Sequence, residues 1–389
     1  MAALGVYEEE HLERLLRVAT CLAMCGYGAQ VGQLAGAARA FYSDAQVWAA
    51  QVHNKGRRGR TRLMHAALIG STARVQYLLD RGAVMHATTL SVVSALMLAS
   101  KNGHLEAVRC LVERGGANVN AVKTSDYMTT LMWACSMGHL ETVRFLVERA
   151  GSNVNAGCKA DGGKTALMFA SQSGHLEVVR FLVEYGNANV NAVKTTDGAT
   201  ALHISSQRGH LEIVRFLVER GGAAVNAART TDGMTALIIA CCYGHLDTVR
   251  FLVQRGGANA NTAQTNDGYT ALMWASDKGH LEIVRFLVEH GDADVNAAAT
   301  SHGMTALIIA CIDGHLEMVR FLVEHGGANL NAAATDDGWT ALMTASRNGY
   351  LTIVSLLLEH GADRHALSHA GETALAPAAS HPLVQAALA

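Results

Sequence analysis

The stretch Gly268-Tyr269-Thr270-Ala271-Leu272-Met273-Trp274-Ala275-Ser276-Asp277-Lys278-Gly279-His280-Leu281, continued by Glu282 to Glu289 and Gly291, decides the fold. Thr270 precedes a short apolar run and predicts a helix N-cap, because its hydroxyl can accept from the unsatisfied amides of a first turn. Gly279 breaks the chain. Leu281, Val284, Leu287 and Val288 then fall at i, i+3, i+6 and i+7, the apolar stripe of a second helix. Gly291 follows the last helical residues, where a left-handed C-terminal cap is expected. Asp294-Val295-Asn296 and His302-Gly303 predict an extended turn leading onward. Neither helix can bury its stripe alone, so the pattern requires neighbours of the same kind.

Those neighbours are present. Gly-His-Leu begins at Gly103, Gly138, Gly174, Gly209, Gly244, Gly279 and Gly314, almost always 35 residues apart, and Gly349-Tyr350-Leu351 continues the series. Gly70 is the equivalent residue 33 before Gly103. Nine units therefore start at Thr61, Ser94, Thr129, Thr165, Thr200, Thr235, Thr270, Thr305 and Thr340, and a degenerate tenth starts at Thr373. Periods of this length mark a solenoid.

The unit Thr-Ala-Leu-x-x-Ala-Ser-x-x-Gly-His-Leu-Glu-x-Val-Arg-Phe-Leu-Val-Glu-x-Gly, followed by Asn-Val-Asn-Ala, resembles the ankyrin repeat, from about Gly59 to the C-terminus. The resemblance implies an all-α solenoid of helix-turn-helix units with β-turn fingers. It also implies partner binding at the finger tips and on the exposed residues of the first helix. Two departures stand out. Alanine replaces the proline that usually follows the threonine, and only Thr200-Ala201-Leu202-His203 keeps the family's histidine. Met or Ile elsewhere predicts that packing replaces the polar tie of that turn. Most units are also two residues longer than is usual, between the second helix and the next turn (Gly221 to Thr231, for example), which predicts longer fingers.

Composition narrows the function classes. The 389 residues carry a net charge of −2 and only 16% charged side chains, against a nucleic-acid-seeking or disordered chain. Two prolines leave the turns to 38 glycines. Eight scattered cysteines without a CxxC pair predict reduced thiols and a cytoplasmic protein. Cys21 and Cys25 lie four apart on a predicted helix, but no second pair completes a metal site. The basic run Lys55-Gly56-Arg57-Arg58-Gly59-Arg60 reads either as a nuclear import signal or as the approach to the first repeat. No secretory leader is expected, because Glu8, Glu9 and Glu10 precede the first apolar stretch, and no apolar run is long enough for a bilayer.

Repeated histidines (His104 to His315) occupy equivalent places in units stacked about 8–10 Å apart, too far to share one ion, so neither a metal nor any other cofactor is expected. Repeated arginines (Arg109 to Arg320) each have an acid three residues earlier and Glu or Gln four later, a balanced solvated face rather than a polyanion track. GxxxxGK[ST], HExxH, GxSxG and kinase motifs are missing, so no catalysis is expected.

What remains is a protein-binding scaffold, expected to be monomeric. Carried over by position, the resemblance places Met128, Met234, Tyr269, Met304 and Trp339 just before the unit threonines. It places Met137, Arg208, Tyr243, Asp277, Lys278, Ile312 and Arg347 at the ends of the first helices. Met234, Tyr243, Tyr269, Met304, Ile312 and Trp339 predict an exposed ladder, the kind of patch that marks a partner site. Trp133, Phe169 and Trp274, one position deeper, predict packing between units.

Residues 1–56 lie outside the repeat and predict three short helices. Their last half is similar to an F-box, the module that docks a substrate receptor onto a cullin-type ubiquitin ligase. Leu15, Leu34, Phe41 and Trp48 would then meet the adaptor, although the Leu-Pro that usually opens the motif is missing. The other reading is a cap that shields the first repeat.

Overall fold

A computed structural model of the chain describes residues 60–83, 93–122 and 127–389. The segment with Leu15, Leu34, Phe41 and Trp48, and so the choice between cap and F-box, lies outside the described residues. Cys21, Cys25 and the run 55–59 lie outside them too.

Helix pairs follow one another: α1 (Arg62–Leu68) with α2 (Thr72–Asp80), α3 (Ala95–Lys101) with α4 (Leu105–Glu113), α5 (Thr130–Ser136) with α6 (Leu140–Glu148), α7 (Ala166–Ser173) with α8 (Leu176–Glu184), and α9 (Ala201–Arg208) with α10 (Leu211–Glu219). They continue as α11 (Ala236–Cys242) with α12 (Leu246–Gln254), α13 (Ala271–Asp277) with α14 (Leu281–His290), α15 (Ala306–Asp313) with α16 (Leu316–Glu324), and α17 (Ala341–Arg347) with α18 (Leu351–Glu359). The degenerate tenth unit keeps its second helix, α19 (Pro382–Leu388), and replaces its first with a 3₁₀ turn, Pro377–Ser380. This is the expected all-α solenoid. Among the described residues no helix is long and apolar enough to cross a membrane.

Local chemistry starts each first helix. Thr129, Thr165, Thr235, Thr270, Thr305 and Thr340 each accept from the backbone N–H three residues on, at 3.3–3.4 Å. The Met-for-His exchange does not abolish the polar tie everywhere. The N–H groups of Thr61, Thr129 and Thr165 donate to the sulfurs of Met64, Met132 and Met168 at 3.4, 3.3 and 3.5 Å. The end of the second helix differs from expectation: Gly291 has φ −112°, and the left-handed residue is the next one, Asp292, with φ 49°. Asn187 fills the same place with φ 51°, and Gly222, Gly257 and Gly327 do so elsewhere.

Neighbouring units are tied at four levels. The glycine of each Gly-His-Leu lies under the ring of the following unit, a histidine everywhere but at Gly314, which faces Tyr350: a Cβ on Gly209 (φ +68°) would stand 2.5 Å from the ring of His245. The other side of that ring donates from Nε2 to the Gln207 carbonyl at 3.0 Å, and His104, His139, His175 and His210 do likewise to Leu68, Lys101, Ser136 and Gln172. An asparagine ladder runs along the loops. Asn226 donates from Nδ2 to the Gly257 carbonyl at 3.0 Å and accepts at Oδ1 from Asn259 N–H at 2.9 Å, a pattern shared by Asn155, Asn261 and Asn296. The arginine row bridges units as well as carrying balanced charge. Arg215 lies 3.5 Å from Glu212 and 5.8 Å from the ring centroid of Phe251, one unit on. From Thr195 onward each finger finally donates one backbone bond to the preceding finger, Thr230 N–H to Asp197 and Thr265 N–H to Asp232 at 3.0 and 2.9 Å among them.

The core is one continuous seam. Leu202, Ile213, Val214 and Leu217 are buried in one unit, and Leu237, Val249 and Leu252 in the next. Cys135, Cys241 and Cys311 are fully buried within it as free thiols, and burial raises their pKa. First helices of adjacent units pack more extensively than second helices do. The stack therefore curves toward the first helices and the fingers, which form its inner side.

The Gly-His contact is directly testable. Gly209 and Gly222 both have positive φ, yet a Cβ on Gly222 would meet nothing within 4 Å. Gly222→Ala should cost about 1 kcal/mol and Gly209→Ala about 3 kcal/mol, since only the second adds overpacking to backbone strain. Urea unfolding of both variants measures the gap, and equal midpoints would remove the Gly-His contact as an organising interaction.

Candidate functional site

Three positions of each unit meet on the inner side: the base of the finger, the residue before the threonine, and the middle of the first helix. Along the stack from the unit at Thr200, the finger base reads Lys194, Arg229, Gln264, Ala299, Ala334. The residue before the threonine reads Ala199, Met234, Tyr269, Met304, Trp339, and the helix position reads Ile204, Ile239, Trp274, Ile309, Thr344. Charge thus declines along the face, and aromatic surface increases.

The charged part encloses a recess of about 280 Å³ between three successive fingers. Lys164 is buried, with Nζ 3.1 Å from Asp161 and donating to Gln172. Lys194 Nζ lies 3.6 Å from the same Asp161 and 3.4 Å from Asp197. The Arg229 guanidinium makes a two-pronged bond to Asp232. Burial pushes the Asp232 carboxyl upward, but the Arg229 and Met234 N–H donors outweigh it and hold the pKa below the usual range. Arg208 reaches the rim from the end of α9, and Ile204 and Ile239 form the apolar floor.

His203 stands behind this recess. Its Nδ1 accepts from Thr200 N–H at 3.1 Å and faces the Thr200 hydroxyl at 2.8 Å, while Nε2 donates to the Ala227 carbonyl at 3.0 Å. Burial lowers its pKa from 6.5 to about 4; the Ala227 carbonyl opposes the shift and the Arg229 charge adds to it. The ring is therefore neutral, a turn brace and not a charge in the recess.

Beyond Arg229 the face becomes aromatic. Tyr269 lies edge-on to Trp274 with centroids 5.7 Å apart, and the Trp274 indole N–H donates to Gln264 at 3.2 Å. Lys278 stands 5.5 Å above Trp274 and 2.8 Å from Asp277, whose hydrogen bond raises the lysine pKa. Burial, then Asp277, Asp267 and Asp313, push the Tyr269 phenol upward. Arg347 covers Trp339 at 5.2 Å.

The structure separates the residues singled out in the sequence. Met137, Tyr243 and Ile312 are exposed, and the Tyr243 hydroxyl accepts from Gln207 at 2.8 Å. Tyr269, Met304 and Trp339 are half-buried, each with one face packed on the core. Arg208, Lys278 and Arg347 are exposed and Asp277 is half-buried. Met128 and Met234 are corrections: both are only 8% exposed, so neither is open to a partner and the expected apolar ladder loses Met234. Their flexible side chains turn into the seam between units, and the Met234 sulfur also accepts from Arg229 at 3.4 Å. Trp133, Phe169 and Trp274 do pack on the core, but each also offers a ring to a lysine, Lys101, Lys164 and Lys278, so they belong to this face too. The finger-base stripe was missed. Aligning the units at their 35-residue spacing would have exposed its drift from Lys through Arg and Gln to Ala.

Models of ankyrin repeats match residues 33–122, 63–158, 152–228, 221–299 and 294–368. The chain belongs to the ankyrin repeat family. The first match begins before residue 57, where the sequence reading placed the boundary of the repeat domain. The chain is similar to a crystal structure of the ankyrin repeat domain of Bcl-3, described as a unique member of the IkappaB protein family. The identity is 30% and the TM-score 0.52, over 59% of this chain and 99% of that one. Among curated proteins none matches. Ankyrin repeats are protein–protein interaction modules and are typically non-catalytic, in keeping with a face built from stacking and pairing groups.

The His203 brace makes a pH prediction. Its folded pKa is depressed, so its stabilisation is complete above about pH 6.5 and is lost as pH falls toward 4, by up to roughly 3 kcal/mol. His203→Met supplies the sulfur acceptor used at Met132 and removes the titration. Between pH 7.5 and 4.5 the urea midpoint of the wild type should fall further than that of the variant; parallel decline would show that this ring does not sense pH.

Proposed function

We propose that the chain is a non-catalytic scaffold that binds a protein or an extended peptide along the inner side of its repeats. The observation that carries this reading is the aromatic shelf of Tyr269, Trp274 and Trp339 beside exposed Tyr243 and Ile312. Large half-buried rings anchored on the core are preformed contact surface. Binding them costs little side-chain ordering, because the stack already holds them in place. Aromatic side chains in such positions dominate interface energies. The cations over Trp274 and Trp339 lie at the edge of the shelf, where a partner can displace them or pair with them.

The test is quantitative capture of partners by the full-length chain and by its Tyr269→Ala, Trp339→Ala double variant, with bound proteins identified by mass spectrometry. Partners of this face should fall by more than about tenfold with the variant, the loss expected of aromatic hot spots. The helical circular-dichroism spectrum should be retained. Undiminished capture by a folded variant would place recognition elsewhere on the molecule.

A further inference from the structure

The recess between the fingers has a chemistry the aromatic shelf lacks. Lys164, Lys194, Arg208 and Arg229 bring four cations to it, against the carboxylates of Asp161, Asp197 and the Arg229-bound Asp232. Asp161 is shared between two ammonium groups, and Arg208 has no ion pair among the described residues. The surplus is thus one positive charge, carried by the exposed Arg208 at the rim of a concave cleft that focuses its field on an incoming anion. The neighbouring His203 is neutral and fully engaged, so it neither adds charge nor offers a donor.

Resting on the scaffold reading above, we infer that this recess receives one anionic side chain, a carboxylate or a phosphate, from an extended peptide whose next anchor lies on the Tyr269–Trp274 shelf. Size supports a side chain: about 280 Å³ is at the lower edge of small-ligand pockets and ample for one acidic group. The floor of Ile204 and Ile239 takes the methylene stem, and the cations around it take the charged end. Arg208 is the freest of them and supplies a planar two-donor fork. Register follows from the stack. Adjacent units lie about 10 Å apart, and an extended chain advances about 3.3 Å per residue. Arg208 belongs to the unit of Thr200 and Tyr269 to the second unit after it, about 20 Å on, so the acidic residue and the apolar anchor should be about six positions apart.

The experiment uses the full chain and three synthetic peptides, acetyl-Ala-X-Ala-Ala-Ala-Ala-Ala-Leu-Ala-amide, with X as glutamate, phosphoserine or glutamine. Affinities are measured by titration calorimetry at low salt. The inference expects at least one anionic form to bind about tenfold tighter than the glutamine form, one charge-assisted contact's worth. The tighter of the two identifies carboxylate or phosphate as the natural group. Arg208→Gln, an exposed change outside the core, should shrink that preference to under about threefold and leave the glutamine form unchanged. Equal affinities, no binding of either anionic form, or a preference untouched by Arg208→Gln would each overturn the inference. Capture by the aromatic shelf is read separately with the Tyr269, Trp339 variant, so the recess can fail while the scaffold reading stands.

Discussion

Every first helix of this protein is seven or eight residues long, too short to persist by itself in water. Its last carbonyls have no partner within the helix. In five successive units from His104 to His245 the next unit supplies one: the imidazole of the following Gly-His-Leu lies where a Cβ would be and donates to a carbonyl at the end of the preceding first helix. That contact explains why glycine and histidine recur together. The glycine must be left-handed and bare, and the ring must come from the neighbour. Each unit is therefore completed by the one after it, and the asparagine ladder, the arginine–phenylalanine contacts and the finger bonds repeat the arrangement at other radii of the same stack.

A stack held by such uniform ties leaves few positions free to vary. The three inner positions carry the variation. Lysine and arginine at the finger base build a charged recess around one set of units. Glutamine and alanine at the same place, with tyrosine and tryptophan nearby, build an apolar shelf around the next. The backbone that presents them is the same in both, so the difference in chemistry is carried by side chains alone.

Much of this was legible. The helix pairs, their threonine caps and the all-α solenoid follow from a period that no other arrangement explains. The residue before each threonine was read as part of the inner side, but its burial was not legible, because it depends on how each side chain packs in its slot. Met128 and Met234 turn into the seam, while Met304 in the same slot and the rings of Tyr269 and Trp339 remain half outside. The single buried histidine was visible as a departure from its neighbours. Its neutrality came only from the burial and partners that the fold provides.

The sequence by itself determined the helix-turn-helix unit and the balanced charge within each second helix, because both rest on spacings inside one repeat. Tertiary structure alone decided that Arg215 lies over Phe251 and that Asp161 is shared by Lys164 and Lys194. It alone also decided that a recess opens between three fingers. These contacts join residues about one unit apart, and their geometry depends on how far each unit is rotated and shifted on the last. That displacement is set by the packing of the whole seam, which no single repeat encodes.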